Sequence, residues 1–295
     1  MLTILSFRTR FLTGRKRNAN GYLLVILQLL VLLLAIAALP LAADAINFAT
    51  AAKLDEGFYL MLYPYWYTAD TMSDRNGHAV TSNLGLDKYG LYTGGTYYRG
   101  DLLLNALIPV GQMEVGAARG KDWGLGDIQL RGGYFLPVEW ITILPALAVK
   151  LPTGNFDKNR AVNFGDGQTD IMAEVYFFKL FDKFSVDWLL KYSVRLRNPD
   201  SDLTPGNEFS TEGLVTYKVV DGLRAGPSFT FCSGNDNKKA GQTLADSGLV
   251  KLAAGGEVDY VVSPKTKVSL AVLKDVYTRN TTEGVLVMSR ITIPF

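Results

Sequence analysis

The residues of this chain that could do chemistry are charged side chains spaced two apart. Asp187, Lys191 and Arg195 share a parity with Ser185 and Ser193, while Phe184, Val186, Trp188, Leu190, Tyr192 and Val194 hold the other, with Leu189 the exception. The same alternation sets Asp127 and Arg131, Lys150, Asp170 and Glu174, Glu212, Arg224 and Arg290 opposite apolar neighbours. On an extended strand, successive side chains point to opposite faces, so each series marks one polar face. Acids and bases on adjacent polar faces either pair as braces across an enclosed interior or line a path for small polar or zwitterionic solutes. A second group is aromatic: Tyr59, Tyr63, Tyr65 and Tyr67 share one face and form a candidate stacking surface for an aromatic or apolar ligand.

Hydrolytic and metal chemistry is poorly supplied. The single histidine, His78, lies among Gly and Asn residues, and the single cysteine, Cys232, leaves no internal disulfide. Asn163, Asp166 and Asp170 surround Gly165 and Gly167, but they miss the spacing of an EF-hand and read as a glycine-rich turn entering a strand. No catalytic residue, metal site or cofactor is expected.

The elements that must position these faces are strands. The period-2 pattern predicts twelve, near 57–67, 88–98, 102–110, 125–136, 140–151, 168–180, 184–196, 208–219, 223–233, 247–262, 266–278 and 284–295. Ten or fourteen remain open, because Arg99-Gly100-Asp101 is either a tight turn or part of one long strand. Many of these runs exceed the usual 5–6 residues of a soluble sheet and suit a tilted membrane crossing. Short connections (137–139, 182–183, 220–222, 263–265) alternate with longer polar ones (111–123, 152–166, 198–207, 234–246), and residues 68–87 would form the longest external loop. Short turns on one side and long loops on the other predict an all-β fold: a transmembrane antiparallel β-barrel of about 12 strands, with both ends on the periplasmic side. If the aromatic-rich faces meet lipid, the charged faces line the lumen, and aromatic side chains near strand ends form interfacial girdles.

The first 45 residues differ from the rest. Arg8, Arg10, Arg15, Lys16 and Arg17 precede the apolar run Tyr22–Leu39, which ends in Pro40 and Ala43-Asp44-Ala45. That order is a signal peptide over residues 1–45, cleaved after Ala45, or an uncleaved anchor, with residues 46–295 forming an exported barrel. The net charge of +2 comes from this leader, and residues 46–295 carry 25 basic and 27 acidic side chains. No basic surface is left for nucleic acid. At the other end Phe295 closes an alternating strand with Ile293, Ile291, Val287 and Val285. A terminal aromatic in that position resembles the signal read by the barrel-assembly machinery of Gram-negative bacteria, which predicts a cell outer-membrane location with lipid and that machinery as partners.

Three segments carry a further resemblance: Gly124-Leu-Gly-Asp-Ile-Gln-Leu130, Val149-Lys-Leu-Pro-Thr-Gly-Asn-Phe156 and Gly165-Asp-Gly-Gln-Thr-Asp170. Over roughly residues 57–295 the chain resembles the "putative meta-pathway of phenol degradation" outer-membrane family of transporter-like barrels. The resemblance implies passive passage of small hydrophobic or aromatic organic solutes, without naming binding residues. Asp127 is expected to be a lumen charge partner of Arg131 or Lys150. The alternative function is a non-transporting outer-membrane scaffold or adhesin that acts through loops 68–87 and 152–166. A membrane hydrolase centred on His78 and a soluble periplasmic barrel are further rivals.

Overall fold

The computed structural model describes residues 52–81, 83–263 and 266–295. The leader expected over residues 1–45 lies outside the described residues. Twelve antiparallel strands close into a barrel. They are β1 (Gly57–Ser73), β2 (Leu86–Arg99), β3 (Leu102–Val115), β4 (Gln129–Tyr134), β5 (Thr142–Lys150), β6 (Asp170–Leu180), β7 (Phe184–Arg195), β8 (Glu208–Val220), β9 (Leu223–Gly234), β10 (Val250–Ser263), β11 (Thr266–Arg279) and β12 (Thr282–Pro294). Each strand pairs with its neighbour in sequence, and β12 returns to β1, with Tyr59 opposite Pro294 and Tyr67 opposite Leu286. Closure satisfies every edge, which a sheet in hydrocarbon requires.

The strand positions follow the alternation. Trp188, Leu190, Tyr192 and Val194 of β7 face outward, while Leu189 is buried inside, so the one exception to the β7 pattern is a lumen residue. Leu147 on β5 is 67% exposed and its opposite-face neighbour Ala148 4%. Apolar side chains exposed on the outside match a lipid-facing surface. Both described ends lie at the short-turn side, where Gly100 (φ +57°) and Gly222 (φ +79°) take the left-handed backbone that tight turns need. Arg99-Gly100-Asp101 is therefore a turn between β2 and β3, which fixes the strand number at twelve.

The loop side departs from the sequence reading in three places. Residues 68–87 are not one long loop: β1 runs on to Ser73, and a hairpin folds residues 79–81 back onto it. Asp74 closes that hairpin, its Oδ1 accepting from the amides of Asn76 (2.8 Å) and His78 (2.9 Å). Residues 111–123 are mostly strand, because β3 extends to Val115 and pairs with a short strand, Gly120–Leu125, that continues the β4 position up the wall. Both segments are too polar to show apolar alternation, and backbone pairing alone carries them. Residues 203–204, 238–239 and 242–243 form a small separate sheet across two expected loops. The longest strand-free stretch among the described residues is 151–169.

The interior is a packed core on one side and a polar wall on the other. Tyr59, Met61, Tyr63, Tyr65 and Tyr67 of β1 cluster with Tyr92 and Tyr98 of β2, Leu103 and Leu107 of β3, and Leu144, Tyr176 and Leu189 across the barrel. Here the rule that aromatic faces meet lipid fails. Tyr59, Tyr63, Tyr65, Tyr67, Tyr92, Tyr98 and Tyr176 are buried inside rather than set in a girdle. In β1 the opposite face, Phe58, Leu60, Leu62, Pro64 and Trp66, is more apolar still, and the phenolic groups take the side where polar partners exist. Trp123 and Trp140, 71% and 68% exposed, keep the girdle position.

Candidate functional site

The strand parity brings nearly every expected lumen residue into the interior. Asp127, Arg131, Asp170, Glu174, Glu212 and Arg290 are buried, and Lys150, Asp187, Lys191, Arg195 and Arg224 are partly buried beside them. Their pairing is set by register. Opposite Cα positions such as Lys150 and Asp170, Glu174 and Lys191, and Asp170 and Arg195 place charges of opposite sign side by side.

The most tightly bound group sits on β3, β4 and β6. Arg131 meets Glu174 as a fork, with Nε to Oε2 at 2.5 Å and Nη2 to Oε1 at 3.1 Å, and its Nη1 donates to Asn105 Oδ1 at 2.9 Å. The Tyr176 hydroxyl donates to Glu174 Oε2 (2.8 Å), and Asn105 Nδ2 donates to Thr96 Oγ1 (2.9 Å). Both charges are desolvated, with side chains 2% and 1% exposed, so each depends on the other to remain ionised. Above them Lys150 bridges Asp166 and Asp170, the latter at 2.6 Å, and Arg195 lies between Asp170 (3.8 Å) and Glu208 (3.5 Å).

The opposite wall repeats the pattern. Arg290 pairs with Glu257, Lys267 Nζ reaches Asp259 Oδ2 at 2.9 Å, and Ser269 donates to the same aspartate at 2.5 Å. Arg224 donates to Thr216 Oγ1 (2.9 Å) and the Lys183 carbonyl (3.2 Å), which ties it to the turn end. Toward the loops, Tyr67 donates to Asp275 Oδ2 (2.8 Å), and Lys251 contacts both Tyr67 OH and Asp275 at 2.9 Å.

Asp127 has a different role from the one expected. Its Oδ1 accepts the Gly154 amide (2.8 Å) and its Oδ2 the Asp166 amide (2.7 Å), and it makes no ion pair with Arg131 or Lys150 among the described residues. The reason is local: the chain leaves the sheet at residues 126–128, which turns Asp127 toward the 151–169 loop instead of along the β4 face. Asp122, from within the strand Gly120–Leu125, also holds the loop, accepting from the Phe164 amide (2.9 Å) and Arg160 Nη1 (3.0 Å).

Among the described residues, two lumen cavities bear on function. The larger, about 90 Å³, opens beneath the 151–169 loop; Tyr65, Tyr92, Pro109, Phe164, Met172 and Leu189 supply apolar surface, and Lys88, Arg131, Lys150, Lys191, Arg195 and five acids supply charge. The smaller, about 40 Å³, lies along the other wall between Asp187, Glu212, Glu257, Lys267, Arg290 and Phe229. Of the four expected tyrosines, Tyr65 lines the larger cavity, while Tyr59, Tyr63 and Tyr67 are packed into the core, so the continuous stacking surface is not formed. Tyr59 instead meets Tyr98 edge-on at 5.5 Å, and Tyr65 tilts against Tyr92 at 4.9 Å.

Sequence reasoning passed over Asn105, Asp122, Lys88 and Phe164, and read Tyr176 as a girdle residue. Asn105 and Tyr176 lie on inward parities and could have been found by extending the polar faces, whereas Phe164 lies in a loop where no period applies. His78 stands on the external hairpin beside Asp74, away from both cavities.

The family model described as "Putative MetA-pathway of phenol degradation" matches residues 67–291. No curated protein sequence matches. Among solved structures, an outer-membrane channel from Pseudomonas putida F1 is 17% identical and superimposes with a TM-score of 0.75, covering 86% of this chain and 100% of that one. The NanC porin (11% identity, TM-score 0.47, 80% and 98% covered) and the toluene transporter TodX of P. putida (7%, 0.41, 83% and 91%) are more distant. The fold is that of a Gram-negative outer-membrane barrel.

Proposed function

We propose, from the premise that this chain belongs to the family described as "Putative MetA-pathway of phenol degradation", that it is an outer-membrane channel for passive entry of small aromatic organic solutes. The observation that carries this reading is the larger lumen cavity, in which ring faces and a proline stand opposite paired charges. A solute with an aromatic body and one or two polar groups satisfies both surfaces at once. A plain alkane gains nothing from the polar side of the lining, and a sugar leaves the rings uncovered.

The charges of the lining pair mostly with one another, so the lining presents dipoles more than net charge, and selection rests on shape and ring contact rather than on one sign. Asp127, Arg131, Lys150, Asp170, Glu174, Lys191 and Arg195 are the lining residues assigned to this route, with Tyr65 as its aromatic member. Asp187, Glu212 and Arg290 are assigned to its continuation along the second cavity, and Arg224 to bracing at the turn end. Phe295, 91% exposed beyond the β12–β1 seam, is assigned to recognition by the barrel-assembly machinery. The 152–166 segment folds over the mouth and holds the wall, an inward arrangement that supports a channel over a loop-based adhesin.

Entry of solute into proteoliposomes tests the reading. 4-Hydroxybenzoate at pH 8, which crosses lipid slowly, is expected to enter faster than gluconate in vesicles carrying the protein. Equal entry of both, or no entry above protein-free vesicles, contradicts it.

A further inference from the structure

One aromatic side chain of the 151–169 stretch turns back into the barrel. Phe164 is only 6% exposed, although it belongs to a loop of Asn, Asp and Gly residues at the membrane-distal mouth. Its ring lies against wall positions that have no side chains. A Cβ on Gly111 would come within 2.9 Å of the ring Cζ, and one on Gly126 within 3.2 Å of Cε1. The Pro109 ring borders the same hollow, 3.0 Å from that Gly126 Cβ position. Lys88 Nζ stands 5.4 Å from the ring centroid, in cation–π range.

Two bare glycines, a proline edge and an ammonium over one face make a slot shaped for a flat aromatic ring. Nothing in it depends on the ring being attached to this chain. What keeps Phe164 there is the loop: the Leu151 and Asn155 amides donate to the Ile128 and Leu125 carbonyls, Asp122 and Asp127 accept loop amides, and Lys150–Asp166 and Arg160–Asp122 pair loop to wall. Between Asn155 and Gly165 no strand ladder ties the loop to the wall, and local opening of such segments is a low-cost motion of a folded chain.

We propose that Phe164 is a tethered occupant of an aromatic-ring subsite, and that a free aromatic solute takes this slot as the 151–169 loop lifts. The slot then both binds the solute and, with Phe164 in place, closes the mouth. The proposal rests on the aromatic-entry reading above and adds its first binding step. A ring on a short tether competes at an effective concentration on the order of millimolar, so solutes displace it at roughly millimolar levels.

Two variants test it in planar bilayers and proteoliposomes. Phe164→Ala empties the slot; its ion conductance is expected to rise about threefold or more, and p-cresol at roughly millimolar concentration is expected to return it toward the unsubstituted level. The second variant joins Gly120→Cys to Val162→Cys. The Gly120 Cβ position lies 3.2 Å from Val162 Cβ, short of the roughly 3.8 Å mean of a disulfide, so a small shift allows the bond. Oxidation then locks the loop shut, and 4-hydroxybenzoate entry is expected to fall about tenfold and to recover on reduction.

The proposal is overturned if the oxidised double variant admits 4-hydroxybenzoate at the reduced rate, or if p-cresol leaves the Phe164→Ala conductance unchanged. An unsubstituted protein that admits no aromatic solute defeats the function reading instead. In that case, p-cresol closure of Phe164→Ala still supports the subsite, and its absence overturns it.

Discussion

The inner surface of this barrel has two walls built by one pattern and held by different chemistry. On β1, β2 and β3, Tyr59, Tyr63, Tyr65, Tyr92, Tyr98, Leu103 and Leu107 pack ring against ring and ring against leucine. On β6 through β10, Asp170, Glu174, Asp187, Glu212, Glu257 and Asp259 face inward with bases beside them. Outside, both walls present the same apolar surface to lipid. The outward face answers to the bilayer, which has one chemistry, while the inward face answers to whatever stands across the lumen. The aromatic wall tolerates a lost hydrogen bond because its packing is non-directional. The charged wall does not, because each buried ion needs its partner.

That contrast breaks most sharply at Arg131. Arg131→Met leaves Glu174 buried without its forked partner, with the Tyr176 hydroxyl and the neighbouring Lys191 remaining, and is expected to destabilise the barrel by about 3–5 kcal/mol. Adding Glu174→Met is expected to recover most of the loss. Urea unfolding of the protein in detergent, read by tryptophan fluorescence, measures both, and an Arg131→Met barrel as stable as the parent would show that the walls do not differ as described.

A smaller effect separates two buried tyrosines, Tyr67 bonded into the charged groups and Tyr98 packed on the aromatic wall. Tyr67 donates to Asp275 and accepts from Lys251, so Tyr67→Phe is expected to cost about 1.5–3 kcal/mol, the range for bonds to charged groups. The buried Tyr98 hydroxyl has no hydrogen-bond partner among the described residues, and Tyr98→Phe is expected to change stability by about 0.5 kcal/mol or less. Equal costs for the two, in the same unfolding assay, would place Tyr67 with Tyr98 on the purely packed wall.

The charged wall was legible in the sequence and the aromatic wall was not. On β7 one parity is charged and the other apolar, so period and polarity agree about which face is enclosed. On β1 both parities are apolar or aromatic, from Phe58 through Tyr67, and period 2 separates the faces without orienting them. The orientation comes from neighbours across the lumen, through contacts of long sequence separation such as Tyr67 with Asp275. The twelve strands and their short turns followed from alternation and turn residues. Strand ends beyond the membrane did not, because Asp70, Gln112 and Lys121 extend the sheet by backbone pairing without an apolar stripe. Asp127 lies in the lumen cavity, but its partner was missed for a similar reason: its parity was read as if the strand were unbroken, whereas the chain turns inward at Gly126 and uses the carboxylate on loop amides. Phe164 carried no signal at all, since a lone aromatic in a polar loop has no period to place it.

Aromatic solutes are assigned the lumen between these two walls as their route. Its most direct test is the ion current of the unsubstituted protein in a planar bilayer, titrated with p-cresol and separately with cyclohexanol, which is similar in size and lacks a ring face. A saturable change of the current with p-cresol, at concentrations where cyclohexanol leaves it unchanged, is the expected result. An equal change with both, or a current that neither compound alters, would contradict it.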